Sequence, residues 1–207
     1  MAALTLRTGN ITTTDPTSFG IAAISQTGNI SIVAGNISGT TTGVAATTSN
    51  TSLNTIVVGN VATGGAGIIA IGGTSAVTAG TVSTSINGGT TAGGVGVTAQ
   101  ATTGNSSVRT GAINTVNGAG ILATATSLTG SVNIGGCPTV TTAGNNSTAL
   151  QAQASGTGSV IINCGALRTT GVASNGVLAT SAGGNVVVNI TSASTTGVDA
   201  IGVAAQT

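Results

Sequence analysis

A three-part motif recurs eight times along the chain, and this repeat constrains the fold more than any other feature of the sequence. Its most regular part places an apolar residue at Ile21, Val44, Ile68, Val97, Ile121, Leu150, Val177 and Val203. Two residues after each of these stands an alanine: Ala23, Ala46, Ala70, Ala99, Ala123, Ala152, Ala179 and Ala205. The mean spacing is 26 residues, so residues 1–207 are predicted to form one repeat domain.

Two further parts flank this motif in fixed order. One is an anchor, a β-branched residue or Leu, at Ile11, Ile37, Val61, Val82, Ile113, Val140, Leu167 and Ile190. The other is a short alternating stretch such as Leu4-Thr5-Leu6 or Ile30-Ser31-Ile32. β-Branched residues in alternation predict short strands. Side chains two residues beyond each anchor are expected to face inward as well, and they are mostly Thr: Thr13, Gly39, Thr63, Thr84, Thr115, Thr142, Thr169 and Ser192.

A unit of three short strands cannot bury its own apolar side, but stacked copies share one continuous core. The repeat therefore predicts an all-β parallel β-helix, or β-solenoid, with three short strands per coil and about eight coils. At ~4.8 Å per coil, eight coils would make a rod of roughly 38 Å. A β-sandwich is the alternative. It would need hairpin turns and antiparallel alternation, and the fixed three-part order argues against it.

The composition excludes several classes of function. Charged residues are 2% of the chain, His is absent, and Phe19 is the one aromatic residue. General acid–base catalysis has almost no side chains to use, so we expect neither enzymatic activity nor a cofactor. A net charge of +1 cannot neutralise a run of phosphates, which argues against nucleic acid as a partner. The most apolar stretch, Gly67 to Ile71, is far shorter than the ~20 residues of a membrane span, so membrane insertion is not expected.

Cys137 and Cys164 each lie three residues before an anchor, so they are predicted to share one column in adjacent coils. In-register neighbours lie ~4.8 Å apart between Cα atoms, within the range of a disulfide. Two alternatives stay open at this point: a disulfide in an oxidising compartment, or two reduced thiols in the wall. Two thiolates without His do not complete a zinc shell, so no metal site is expected.

The remaining polar features suggest stability rather than binding. Asn10, Asn36 and Asn60 directly precede three successive anchors and are predicted to form an amide ladder. Arg7 and Arg109 each lie four residues before an anchor, four coils apart, and are predicted to be solvated residues of the wall. Asp15 and Asp199 are placed near opposite ends of the rod. A paired-carboxylate site is therefore not expected.

The cycle Gly-x-Ile-x-Thr, Gly-Ile-x-Ala and Gly-x-Val-x-Val resembles the passenger repeats of bacterial autotransporter and filamentous-haemagglutinin-like surface proteins. The resemblance covers the whole chain and is one of repeat style. It implies a right-handed β-helix outside the cell or on a bacterial cell surface, acting as a stalk, adhesin or matrix component. The amino-terminal signal and the carboxy-terminal translocator of an autotransporter are not recognised in the sequence.

Self-association is the predicted partnership. A copy placed after Thr207 would put its Leu4 eight residues and its Leu6 ten residues beyond Val203, close to the 9 to 11 residues of the same step within the chain. Exposed β-edges normally pair unless they are protected. We therefore expect head-to-tail stacking through Leu4, Leu6, Val203 and Ala205. The alternative is a segment of a longer adhesin passenger, cut at a repeat boundary, with a host or matrix ligand of unknown kind.

Two binding functions are less favoured. Ice binding would require a regular outward column of Thr, and the column beside the anchors is irregular. Carbohydrate binding would use the longer loops, Ser83 to Gly94 and Thr141 to Thr148, but the chain has no Tyr or Trp on which sugars could stack.

Overall fold

The computed structural model describes residues 2–15, 17–84 and 94–207. Within these ranges the chain forms strands and no helix. The strands in chain order are β1 (Leu4–Arg7), β2 (Ile11–Thr12), β3 (Phe19–Ser25), β4 (Ile30–Ala34), β5 (Ile37–Thr40), β6 (Thr42–Thr48), β7 (Leu53–Val58), β8 (Val61–Thr63), β9 (Ile68–Gly72), β10 (Thr74–Ala79), β11 (Val82–Thr84), β12 (Val97–Ala101), β13 (Ser106–Thr110), β14 (Ile113–Val116), β15 (Ile121–Ala125), β16 (Val132–Ala143), β17 (Leu150–Ala154), β18 (Val160–Thr170), β19 (Val177–Ser181), β20 (Val186–Thr195) and β21 (Val203–Gln206).

These strands form the three walls of a parallel β-solenoid. The anchor strands lie in the first wall, the strands with the alanines in the second, and the alternating strands in the third. The strands that one coil contributes are called a rung. The second wall is the eight-stranded sheet β3-β6-β9-β12-β15-β17-β19-β21. The third wall contains β1, β4, β7, β10 and β13, and the first wall contains β2, β5, β8, β11 and β14. The long strands β16, β18 and β20 run through the corner and belong to both of these walls. Eight rungs in the second wall correspond to about seven turns of the chain, which confirms the predicted fold class.

The second wall has the predicted register in every rung. Its apolar positions pair from Ile21 with Val44 through to Val177 with Val203, and no register shift interrupts the wall. The alanines pair with one another in the same order, from Ala23 to Ala205. Side chains in the inner rungs are buried, and Ala46, Ala70, Ala123 and Ala179 are fully so. Because Ala is small, the walls approach closely and the core is thin.

Threonines of the first wall close the corner into the second wall. The Thr142 hydroxyl donates to the Ser147 carbonyl (2.6 Å), and the Thr169 hydroxyl donates to the Ser174 carbonyl (2.6 Å). Thr63, Thr84 and Thr115 make corresponding bonds to carbonyls of the following turn. The inward hydroxyls therefore satisfy their hydrogen-bonding needs at the backbone, and they hold the corner in one shape.

A glycine precedes the first apolar residue of the second wall in seven of the eight rungs, and Ala149 takes this place in the other. Close packing favours this glycine, rather than a special backbone angle. A Cβ added at Gly43 would lie 2.6 Å from both the Gly67 carbonyl and Cγ1 of Val61. Gly43 and its equivalents are absent from the residues with positive φ, which include Gly39 (80°) and Gly136 (72°). Positive φ occurs instead at these two bulges and at two columns of the turn between the first and second walls, which contain Asn117, Gly144 and Gly171, and Asn146, Ala173 and Asp199.

The prediction that Ile190 is the last anchor is wrong. Leu167 pairs with Ala193, whereas Ile190 pairs with Cys164 in the corner and is half-buried. The reason is the length of the corner: the anchor follows the central residue of the third-wall strand by five residues, as in Ile162 to Leu167, and by six only at the bulge between Ile134 and Val140. The same step from Val188 ends at Ala193, although Ala is neither β-branched nor large.

The predicted inward column beyond the anchors is also wrong at two positions. A register shift between Ser38 and Thr40 leaves Gly39 in a bulge with positive φ, so Thr40 and not Gly39 is the partner of Thr63. In the last rung Thr169 pairs with Thr195 rather than Ser192, because the anchor itself is Ala193. The column is therefore more uniformly Thr than expected.

Three buried polar residues interrupt an apolar column of the third wall. Asn54, Ser75 and Ser106 occupy positions that are Ile30 and Val132 in neighbouring rungs, and all three are fully buried. Ser75 donates to the Gln100 carbonyl (2.8 Å) and Ser106 to the Ala99 carbonyl (2.8 Å), both in the second wall. These bonds tie two walls together across the core.

Candidate interface at the two ends of the solenoid

The first rung presents apolar side chains that inner rungs bury. Its strands β1, β2 and β3 each pair with one neighbour in the described structure. Leu4 is 41% exposed, whereas its partner Ile30 is buried. Leu6 is likewise exposed above the fully buried Ile32. Leu4 and Leu6 are exposed because they lie on the first rung. In the inner rungs a neighbouring rung on each side covers the same two columns.

The last rung shows the same property at the opposite end. Val203 is 44% exposed, and its partner Val177 is fully buried. Ala205 is exposed, whereas Ala179 beneath it is buried. The four residues predicted for end-to-end stacking, Leu4, Leu6, Val203 and Ala205, thus lie on the two open rungs, two at each end. The structure does not bring the two pairs together, since they are about seven rungs apart.

Phe19 and Ile201 occupy the same corner column at opposite ends. Phe19 pairs with Thr42. In each later rung the N–H of the residue after this position donates to the carbonyl of the residue at this position in the next rung, and this series of bonds ends at Ile201. Phe19 is 54% and Ile201 49% exposed. If the first rung of a second copy stacked on the last rung of this one, the side chains of Phe19 and Ile201 would therefore be neighbours. This relationship was missed in the sequence, because neither residue belongs to a repeated motif.

An outward column of the third wall, polar at both of its ends, also runs the length of the rod. It starts at Arg7 and passes through Val33, Val57, Thr78, Arg109 and Gly135 to Asn163 and Asn189. The Asn189 amide donates to Oδ1 of Asn163 (2.9 Å), and Asn189 is the last residue of this column in the described structure. Arg7 and Arg109 are exposed and four rungs apart in this one column, as the sequence predicted.

A groove of about 500 Å³ lies beside these asparagines. It is lined by Asn163, Cys164, Val188, Asn189, Ile190 and Thr191. All but Asn163 and Cys164 belong to β20, which pairs with β18 and has no second neighbour in the described structure. The groove is therefore a feature of the open last rung rather than an enclosed pocket.

A disulfide joins Cys137 and Cys164. The two residues are direct partners between β16 and β18, with their Cα atoms 4.8 Å apart. A bulge between Gly135 and Cys137 brings Cys137 opposite Cys164, and Cys137 is almost fully buried. The bond covalently links two neighbouring rungs at the corner between the third and first walls.

The asparagines before the first anchors form a ladder, but not between amide side chains. Oδ1 of Asn10 accepts from the Asn36 backbone N–H (2.8 Å), and Oδ1 of Asn36 accepts from the Asn60 N–H (2.9 Å). Oδ1 of Asn60 accepts from the Thr81 N–H (2.9 Å). Each side chain therefore satisfies the backbone of the following rung at a corner where the strand ladder is interrupted.

Ionisable groups do not cluster. Across residues 2–15, 17–84 and 94–207, no three His, Cys, Asp or Glu side chains come together as a group suited to a metal ion. The backbone N–H and the hydroxyl of Thr17 both donate to the Asp15 carboxylate (2.8 and 2.7 Å), and they lower its pKa below the usual 3.8. Asp15 thus acts as the acceptor of its own turn.

Of the two loops considered for carbohydrate binding, one is mostly outside the described residues and the other is partly buried. Residues 85–93, the larger part of the loop Ser83 to Gly94, lie outside the described residues. In the loop Thr141 to Thr148, Ser147 and Thr148 are buried.

None of the described residues belongs to a helix with the length and apolar character needed to cross a membrane.

Comparison with protein-family models, with curated proteins and with solved structures finds no match for this chain.

Proposed function

We propose that the protein is a non-enzymatic structural rod outside the cell, and that copies stack head to tail into a filament or fibre on a bacterial surface. The observation that carries the proposal is the position of the exposed apolar residues. Leu4, Leu6 and Phe19 lie on one open rung, and Ile201 and Val203 lie on the other. Each of them belongs to a column that continues through the rod.

Backbone pairing would supply most of the adhesion between copies. An open rung leaves strand N–H and C=O groups without partners, and such edges readily pair with another strand. The inner rungs pair in parallel and in register, so a second copy can add at the same ~4.8 Å spacing. Because the two ends of the rod differ, the contact is heterologous and generates an open filament rather than a closed dimer.

The disulfide and the composition support a location outside the cytoplasm. Disulfides persist in oxidising environments such as the bacterial periplasm and the cell surface. The chain is nearly uncharged and offers few ionisable side chains for catalysis. Its function would then depend on the shape of the rod, as a stalk, spacer or adhesive surface module. The resemblance to autotransporter passenger repeats implies the same kind of function.

A second candidate rests on the same open rungs. Further coils of one longer chain would cover Leu4 and Val203 as well as a second copy would. The module would then be part of an adhesin passenger, acting as a stalk or as a binding face, and the 207 residues alone would form short rods.

Sedimentation velocity and electron microscopy of the purified chain over a hundredfold range of concentration test the proposal. We expect unbranched fibres whose mass grows with concentration. Val203→Lys places a charge on the last rung and should abolish the fibres. Val57→Lys is the matched control, because Val57 is similarly exposed but lies on an inner rung, and it should leave them intact. Short monomeric rods at every concentration would contradict filament formation and favour the longer passenger.

A further inference from the structure

We propose that Arg7 of one copy docks against the Asn163–Asn189 amide pair of the preceding copy and sets the register of the joint between them. The inference rests on the proposed head-to-tail stacking and names a polar contact within it. It follows from the outer column of the third wall, in which Arg7 is the first residue and Asn189 the last.

The amide pair leaves an acceptor for an incoming donor. The Asn189 side chain donates to Oδ1 of Asn163 (2.9 Å), and Oδ1 of Asn189 accepts no hydrogen bond from the described residues. A rung added there would place its own member of this column ~4.8 Å from Asn189 between Cα atoms. In a second copy that member is Arg7, whose guanidinium carries five donors and no acceptor.

The Arg7 side chain has no partner among the residues that the structure describes. Neither an ion pair nor a hydrogen bond of its side chain occurs among the described residues, and the side chain is exposed. The groove of about 500 Å³ beside Asn163 and Asn189 provides room for a guanidinium. Because Arg7, Asn163 and Asn189 are all exposed, the guanidinium could donate to the amide oxygens and keep part of its hydration, so its charge would not be buried.

This contact would select one register over its neighbours. A joint shifted by one residue would turn every side chain to the opposite face. It would move Arg7 toward the core and Leu6 into solvent. A joint shifted by two residues would keep the faces but would place Arg7 away from Asn189. The apolar columns of the open rungs are similar to one another, so Arg7, the single charged residue within the strands of the first rung, distinguishes between registers.

The critical concentration for fibre formation tests the contact. Arg7→Gln should raise it about tenfold, in keeping with the loss of a partly exposed charged hydrogen bond. Arg109→Gln is the matched control, since Arg109 stands in the same column on an inner rung, and it should change nothing. Thermal unfolding of each variant reports whether the fold itself is altered.

A charge placed on the other partner makes the test reciprocal. Asn189→Asp should lower the critical concentration severalfold at low salt, and 1 M salt should remove the gain because the screening length falls to ~3 Å. The same variant combined with Arg7→Gln should lose the gain. Fibres that respond to neither substitution would overturn this contact while leaving the stacking proposal intact. A wild-type chain that never forms fibres would overturn both.

Discussion

Cys137 and Cys164 are direct strand partners in neighbouring rungs, 4.8 Å apart between Cα atoms, and a disulfide joins them. The closed loop is 27 residues long, which is one complete coil. The bond therefore fixes the length of one repeat covalently, at the corner where the strands run from the third wall into the first.

Reduction of this disulfide should lower the free energy of unfolding by about 3 kcal/mol, because the unfolded chain regains the entropy of the open loop. The fold should survive, since the backbone pairing between all eight rungs remains. Chemical denaturation with and without reductant measures the difference. A Cys137→Ala, Cys164→Ala double variant should match the reduced protein and be insensitive to reductant. Equal stability of all forms would show that the bond contributes nothing.

The alanine column should not tolerate larger side chains. Ala123 is fully buried between Ala99 and Ala152, and Ala123→Leu should cost about 1–3 kcal/mol through overpacking. Its neighbour Thr124 faces outward on the same strand. Thr124→Leu should change the free energy of unfolding by less than about 0.5 kcal/mol. A tolerated Ala123→Leu would mean that the core is wider than the structure has it.

Asn54 should be intolerant of a negative charge. Its amide donates to the Ile71 carbonyl (2.6 Å) and its Oδ1 is buried without a partner. Asn54→Asp replaces the donor by a carboxyl group and places it against that carbonyl. Burial favours the neutral acid, so the pKa of the new carboxyl group is raised. The loss of stability should therefore grow as pH rises above about 4 and reach about 3 kcal/mol or more at pH 7. Asn133→Asp, exposed on the same wall, is the control and should be neutral.

The native chain should show almost no pH dependence of stability. Of its two acidic side chains, Asp15 has a pKa lowered first by the Thr17 backbone N–H and then by the Thr17 hydroxyl. A lowered pKa in the folded state gives stability that is present above the unfolded value and is lost as pH falls through the folded one. We expect a flat profile above pH 5 and a small decline below about pH 4. NMR titration should place Asp15 below 3.8, and Asp15→Asn should remove the decline.

The regular part of the fold was predictable because one position per coil tolerates little but alanine. The step from Ile21 to Ala23, repeated with a spacing of about 26 residues, already placed the eight strands of the second wall in register. Close packing in the thin core explains why the pattern is so strict. The inward Thr column was predictable in kind, since buried hydroxyl groups need partners and the corner carbonyls supply them.

The remaining features depend on register rather than on residue type. Ala193 was missed as the last anchor because Ile190 is the stronger strand former, and the five-residue corner of the unbulged rungs outweighs that preference. Ser75 and Ser106 were missed as core residues because polarity usually indicates an outward position. They are buried because carbonyls of the second wall accept their hydrogen bonds. Phe19 and Ile201 could be related only after every intervening rung had been aligned.

Intermolecular cross-linking through that corner column tests the head-to-tail joint most directly. In one copy, Phe19 and Ile201 are roughly 34 Å apart along the axis, far beyond the reach of a disulfide. A Phe19→Cys, Ile201→Cys double variant should therefore form a ladder of covalent oligomers under mild oxidation. A mixture of the two single variants should stop at the heterodimer. Absence of oligomers, or dimers formed equally by either single variant alone, would contradict head-to-tail stacking.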